Sequence, residues 1–444
     1  MRFNELPLHV VQLGLKLGAS DVACLGVHER RRMVRFANNE VTVTQTWNSN
    51  LLSVLLSRER RVLVSGTEDI SHRGVDQSVR RLIEASKAAA PSESYTPLPR
   101  GPFKYQETSG SYDPKLAEMS SELVEHAKTA IDHALYAGAK RVAGVMICST
   151  TELLLATSGD VEASHRGTSV ETSVRAFVSD EASGQGLSIS RNAAGFRADL
   201  AGERAAEIAK LAVNPVEIES GRYNVVLGPS MFANLVNDAV RAASAFSVDA
   251  GLSFFKGMLG RRVGPPGFTL TDDGVSSEGV ASRPFDDEGV PTGRTAIVDD
   301  GVLKSYLHNS STARKFGVES TGNAGWIAPV PWNAVVSQGM LREEELFEVM
   351  GDGLYLTNNW YTRFQDRANG DFSTICRDGA FKVKGGRIGQ PVKGVRVSDN
   401  MLRIFGAIKA ASKERHWIRW WEVSIPTLAP SVWVKDLGIT RSTQ

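Results

Sequence analysis

Three carboxylates stand side by side in the stretch SRPFDDEGVPTGRT, residues 282–295: Asp286, Asp287 and Glu288, directly ahead of a Gly-Val-Pro turn. Oxygen ligands of this kind suit magnesium or calcium, and grouped carboxylates suit general acid/base work. Calcium loops, however, place their ligands at alternate positions, and three adjacent side chains cannot all turn toward one ion unaided. Pro291 fixes its own φ and drives Val290 toward an extended conformation. The run therefore reads as an acidic loop of set shape before it reads as an ion site.

Zinc-peptidase chemistry needs two imidazoles close together on a helix, a third ligand, and a glutamate to take a proton from bound water. His28-Glu29 opens like such a motif, but Arg30, Arg31, Arg32 and Met33 follow, with no second histidine and three cations that repel a divalent metal. His9, His72, His126, His133, His165 and His416 are scattered and read as surface or structural side chains; His126 and His133 share a helix face two turns apart, too far for one ion. No G-x-S-x-G elbow, phosphate-cradling loop or strand-linked G-x-G-x-x-G occurs. Cys24, Cys148 and Cys376 lie far apart without a C-x-x-C pair, which argues against a disulfide framework and a structural zinc site and fits a reducing compartment. The stretch KERHWIRWWEV interleaves cations with Trp417, Trp420 and Trp421. That combination suits single-stranded nucleic acid, but the block is short, and a packed β-edge or protein interface accounts for it better.

The elements that must position these residues come from a chain of 444 residues, too long for one core, so two domains are expected. Lys and Arg number 51 against 50 Asp and Glu, a net charge of +1, and no global field gathers nucleic acid or an anionic membrane. The N-terminus lacks the apolar run of a signal peptide and no stretch of 18 apolar residues follows, so a soluble cytoplasmic protein without a membrane partner is expected. A helix over residues 8–17, alternating strands through residue 69 with turns at Asn38-Asn39 and Asn48-Ser49-Asn50, and a helix over 74–90 make a first unit. A Pro/Ser/Gly-rich connection over 91–114 leads to a second helix-strands-helix unit, with a helix over 116–137, strands in KRVAGVMICST, ELLLATS and VEASHRGTSVETSVRAFVS, and a helix over 199–212. The recurrence predicts an α+β N-terminal domain, 1–215, built of two similar halves (1–90 and 115–215). From 221 to 444, helices over 231–247 and 342–350 punctuate short strands, with hairpins at Asp299-Asp300-Gly301 and Gly385-Gly386, which predicts a mostly β C-terminal domain.

Read as a unit, RPFDDEGVPTGRTAIVDDGVLKSYLHNSSTARKFGVESTGNAG, residues 283–325, resembles the signature region of the TldD/PmbA family, in its PmbA (TldE) branch. RFANNEVTV, AASAFSVDAGLSFFKGMLGRRV and GDFSTICRDGAFKVKGGRI extend the resemblance over most of the chain. The resemblance implies an α+β domain followed by a β-rich one. It also implies a role in a metallopeptidase complex that processes peptides such as microcin leaders and an antitoxin, in a family first described as a modulator of DNA gyrase. In the TldD branch a helix carries H-E-x-x-x-H and a cysteine near the C-terminus completes the zinc site. At the matching helix this chain has Asn237, Asp238, Arg241 and Ala242, and its EVSIPTLAPSVWVKD segment has no cysteine.

The resemblance thus implies a subunit with no catalytic or metal-ligating residue and no cofactor of its own. Zinc is expected in a TldD-type partner, a homodimer is the alternative assembly for the chain alone, and extended peptides are the expected substrate. Asp286, Asp287, Glu288, His308, Asn309, Arg314, Asn323 and Trp326 are the substrate-cleft or interface candidates, with a role in holding turns as the competing account. Two other functions stay open: an autonomous metal-dependent peptidase with an unrecognised site, and a binding protein acting on a topoisomerase or nucleic acid through the Trp-rich stretch.

Overall fold

A computed structural model describes residues 2–106, 108 and 110–442, so residues 107 and 109 of the 91–114 connection and both chain ends lie outside it. Helix α1 (Leu6–Lys16) stops where Gly18 adopts φ +93, a left-handed value that costs glycine nothing. Two long strands follow, β1 (Asp21–Ala37) and β2 (Glu40–Arg58), joined by Asn38 and Asn39, both at positive φ as a tight hairpin requires. The second expected turn, Asn48-Ser49-Asn50, is instead continuous strand: these residues face Arg30, Glu29 and His28 across the ladder, and the Asn50 side chain bonds the His28 ring at 2.8 Å. The chain turns later, at Glu59 and Arg60, into β3 (Arg61–Thr67) and then α2 (His72–Ala88).

The second unit repeats this plan. The expected single helix is two, α3 (Pro114–Glu118) and α4 (Glu122–Tyr136). β4 (Arg141–Thr157) runs unbroken through the two strand-like segments, β5 (Val161–Phe177) follows, then β6 (Ser183–Ser190), whose Gly-rich sequence hid it, and α5 (Ala198–Leu211). The six strands form one antiparallel sheet in the order β3-β2-β1-β4-β5-β6. The duplication is visible in register. Asp21 faces Ser57 in the first unit and Arg141 faces Phe177 in the second, each residue displaced by 120 positions (21 to 141, 57 to 177).

Strand alternation gives the sheet two kinds of face. Val22, Cys24, Val34 and Phe36 of β1, with Met146, Cys148, Val170 and Val174, face the five helices. Leu25 and Val27 of β1 and Leu153 and Leu155 of β4 face the other way, against Phe285 and Trp326 of the C-terminal domain. All three cysteines are buried, and burial pushes the Cys376 thiol up to about 12, consistent with packing and not reactivity.

In the C-terminal domain a long strand, Val423–Arg441, is the spine. It pairs antiparallel with Gly221–Leu227, Val395–Asn400 and Ile408–Trp420, and parallel with Ala334–Val336. Helix Pro229–Ala242 lies across this strand with Met231, Phe232, Leu235, Val236 and Val240 in the largest core. Both expected hairpins form, at Asp300-Gly301 and at Gly385-Gly386. The Trp-rich stretch lies mostly in strand Ile408–Trp420, paired along one side with the spine. Among the described residues no helix is long and apolar enough to cross a membrane.

Candidate functional site

The acidic loop closes on itself. Asp286 is fully buried, one carboxylate oxygen accepting from the backbone N–H of Glu288 (3.0 Å) and Val290 (2.9 Å), the other from Ala324 (2.9 Å). Burial pushes its carboxyl up to about 8, with the Glu288 charge adding to the rise and the backbone donors opposing it. Glu288, also buried, accepts from the N–H (3.0 Å) and hydroxyl of Ser310, and burial raises its carboxyl as well. Asp287 pairs with Arg283 at 2.6 Å, and that guanidinium lies 4.5 Å from the Trp332 ring centroid. Gly289 sits at φ +87 with Val161 of β5 so close that a Cβ would lie 2.8 Å from it, and the Tyr105 hydroxyl donates to the Gly289 carbonyl at 2.8 Å. The loop is thereby wedged against the N-terminal sheet.

The other signature residues extend the same network. Asn323 donates to Asp272 (2.6 Å) and to the Val330 carbonyl (2.9 Å); Asp272 also accepts from the Trp332 N–H, and burial pushes its carboxyl up to about 7. Asn309 caps helix Ser310–Phe316 by accepting from the Thr312 N–H at 3.0 Å. His308 is buried between Tyr306 and Phe316, its ring nitrogen 3.3 Å from the Thr312 hydroxyl, and burial lowers its pKa. Trp326 is half-buried against the N-terminal sheet, while Arg314 is exposed on the far side of its short helix, lining a different cavity with Arg60 and Tyr95. The structure thus brings seven of the eight candidates into one connected region and leaves Arg314 outside it.

A second constellation forms on helix Pro229–Ala242. The Asn237 amide donates to the Ile425 carbonyl (3.0 Å) and the Thr427 hydroxyl (2.7 Å) and accepts from the Ile425 N–H (2.9 Å). Asn234, one turn earlier, donates to the Glu422 carbonyl at 2.8 Å. Asp238 is half-buried: burial pushes its carboxyl up to about 6, while Arg241 and Arg367 pull it down. Arg241 donates to the Ser424 hydroxyl, and Ala242 is packed in the core. The two segments separated in sequence, the helix and EVSIPTLAPSVWVKD, therefore meet here through amide hydrogen bonds.

Ser424 also lines a cleft of about 730 Å³ between the sheet face of β1, β4 and β5 and the C-terminal domain. Arg31, Arg35, Glu171, Trp360, Arg419 and Trp421 supply its charge and aromatic surface. Trp360 packs edge-on against Trp420 (5.5 Å) and Trp421 (5.1 Å), and Trp421 is 60% exposed. Two ion pairs clamp the domains beside the cleft: Arg419 with Glu171 at 3.3 Å, and Arg175 with the buried Asp378 at 2.6 Å. Asp378 further accepts from the Ser183 hydroxyl and the Asn358 amide, so its charge is fully solvated by protein groups. None of Arg175, Trp360 and Asp378 stands out in sequence: Arg175 is one of several charges on the polar positions of β5, and Asp378 is an aspartate in CRDGAF.

This arrangement, a duplicated six-stranded α+β domain bearing a cleft against a β-rich domain, defines a two-domain scaffold with known relatives. Family models for the PmbA/TldA metallopeptidase central domain and C-terminal domain match residues 115–213 and 220–441. The chain belongs to the PmbA/TldD family. A metalloprotease of Methanothermobacter thermautotrophicus is 33% identical over 207 residues, covering 45% of this chain and 44% of that protein. The chain spans about half the length of the curated relatives it matches. A solved Thermotoga maritima structure, described as a modulator of a DNA gyrase, superimposes with a TM-score of 0.87 at 25% identity, covering 99% of this chain and 100% of that one. TldE from Thermococcus kodakarensis shares the fold with a TM-score of 0.88 at 19% identity, covering 98% and 100%.

Proposed function

We propose that this chain is the non-catalytic subunit of a TldD/PmbA-type peptidase complex, metal-free at the catalytic position, in which a TldD-type subunit carries the catalytic zinc. A peptidase-family role follows from family membership; the division of labour is the inference. The observation that carries it is the donor set on helix Pro229–Ala242. A zinc centre takes lone pairs from histidine, thiolate or carboxylate in a tetrahedral set. Here Asn237 has spent its amide on Ile425 and Thr427, Asp238 lies beside a guanidinium, and Ala242 has no donor. These residues do not fit the ion.

Its own residues would bind and orient. An extended peptide laid in the cleft would meet Trp360 and Trp421 for stacking and Arg31, Arg35 and Arg419 for carboxylates, and the edge of β2 over residues 41–51, which β3 does not reach, would be available for edge pairing beside Thr42 and Val43. The acidic loop lies outside the cleft, packed against Val161 and Tyr105 of the N-terminal domain, and its buried carboxylates would hold that contact between the domains in shape. The same proposal places the domains at 1–215 and 221–444 and the complex in the cytoplasm.

The test is cleavage of an unfolded peptide by the purified chain alone and after mixing with a TldD-type subunit. No cleavage alone and cleavage on mixing, abolished by chelator, is the expected result. Chelator-sensitive cleavage by the lone chain would overturn the proposal and favour an autonomous peptidase. Sizing the lone chain decides whether it self-associates.

A further inference from the structure

Folding brings together three side chains that the sequence keeps apart, on the helix-covered side of the N-terminal sheet and away from the cleft. His9 stands on α1; His72 and Asp76 stand one turn apart on α2, a spacing that puts both on one helix face. His9 Nε2 lies 2.7 Å from Asp76 Oδ1, and His72 Nδ1 lies 3.8 Å from the same oxygen. The two imidazole rings are 4.8 Å apart between centroids. A ligand atom from each of the three residues falls within 4.8 Å of the others.

We propose that His9, His72 and Asp76 form a binding site for a divalent transition metal of the zinc class, with its fourth position open to solvent. Two imidazoles and one carboxylate are the donor set of an open zinc site. Bond lengths of about 2.0–2.1 Å place tetrahedral ligand atoms roughly 3.3 Å apart, a value bracketed by the 2.7 and 3.8 Å separations. His9 and Asp76 are held by their mutual hydrogen bond at 21% and 27% side-chain exposure, whereas His72 is 56% exposed and can rotate inward without moving either helix. The positive end of α2 opposes a cation at this point. Asp76 and Asp69, whose carboxylate already accepts from the Ser71 N–H at that helix start, set two negative charges against it.

The site bridges α1 and α2, the two α-helices among the described residues of the first unit. Their apolar faces, Val10 and Val11 from α1 with Val75, Val79 and Leu82 from α2, close one hydrophobic cluster over the sheet. A metal held between them stabilises that closure, because ions that bind the folded chain alone add their binding free energy to folding. The inference is separate from the cleavage proposal: a metal here lies across the sheet from the cleft and leaves peptide chemistry untouched.

The experiment uses the full chain without a histidine tag, titrated with zinc chloride by calorimetry and with cobalt(II) by visible absorption. The expected result is saturable binding of one zinc per chain, a tetrahedral cobalt spectrum, and a rise in the thermal midpoint with zinc. His72→Ala, which removes an exposed ring, should fold as before and lose about tenfold or more in affinity; Asp76→Asn, which removes the charge, should do the same. Cleavage by the reconstituted complex should be unchanged in His72→Ala. Absence of saturable binding, or equal affinity in both variants and the parent chain, would overturn the site and leave His9 and Asp76 as a hydrogen-bonded pair only.

Discussion

The acidic loop and the helix Pro229–Ala242 make an instructive pair. The loop has the residues that look reactive, three carboxylates in a row, yet two of them are buried and bonded to backbone N–H groups, and the third is held by Arg283. The helix has residues that look inert, an asparagine, an aspartate and an arginine, yet it reaches the cleft through Ser424. Grouped charge in a sequence is therefore a poor guide to a working site. What decides is where the lone pairs go after folding, and a carboxylate facing several backbone donors is acting as a joint.

The largest effect that would break this contrast is expected at Asp286. Replacing it with alanine strands the N–H groups of Glu288, Val290 and Ala324 in a dry interior, at about 1–3 kcal/mol each. A loss of at least about 3 kcal/mol in denaturant unfolding is expected; a loss under about 1 kcal/mol would show that the loop is not the joint described. The same residue fixes a pH dependence. A carboxyl pushed up to about 8 in the fold, against about 3.9 in an unfolded chain, binds its proton more tightly when folded. Its contribution is fully present below about pH 4 and is lost as pH rises through 8. Asp272, pushed up to about 7, acts in the same direction. The thermal midpoint should fall between pH 5 and 8, and Asp286→Asn, though less stable, should show a shallower fall.

Much of the fold was legible because its long elements follow simple periods. The helix-strands-helix recurrence, the two hairpins and the β-rich second half are all written in alternation and turn residues. The structure departs from the local pattern where short-range signals compete with long ladders. Asn48-Ser49-Asn50 looks like a turn, but the β1–β2 ladder and the bond from His28 hold it extended. β6 carries Gly184 and Gly186, weak strand formers, because a Cβ at either would strike a carbonyl of α5. Of the candidate site, the signature loop and the helix that carries Asn237 could be read from the chain. The cleft could not, since Arg175, Trp360 and Asp378 acquire meaning only when β5 meets the C-terminal domain.

A smaller effect is expected at Asn237. Alanine there frees the Ile425 N–H and carbonyl and the Thr427 hydroxyl, and a cost of about 2 kcal/mol should follow. The comparison sharpens if the loss of cleavage in the reconstituted complex exceeds what the remaining folded fraction explains, since the Ile425 backbone borders the Ser424 wall of the cleft.

The smallest effect on stability, and the most telling for function, is expected at Trp421. Its ring is 60% exposed and meets Trp360, Trp420 and Tyr361 only edge-on, so Trp421→Ala should cost no more than about 1 kcal/mol of stability. An exposed aromatic of that size costs solubility unless something stacks on it. If an extended peptide does so, KM for the reconstituted complex should rise about tenfold with kcat nearly unchanged, because a stacking contact made equally in ground and transition states is uniform binding. An unchanged KM would remove Trp421 from the peptide path and leave a protein–protein contact as the account of its exposure. Asp286→Ala should show the reverse pattern, large in stability and small in KM per folded molecule, and the contrast between a joint and a binding surface stands or falls on those two variants measured together.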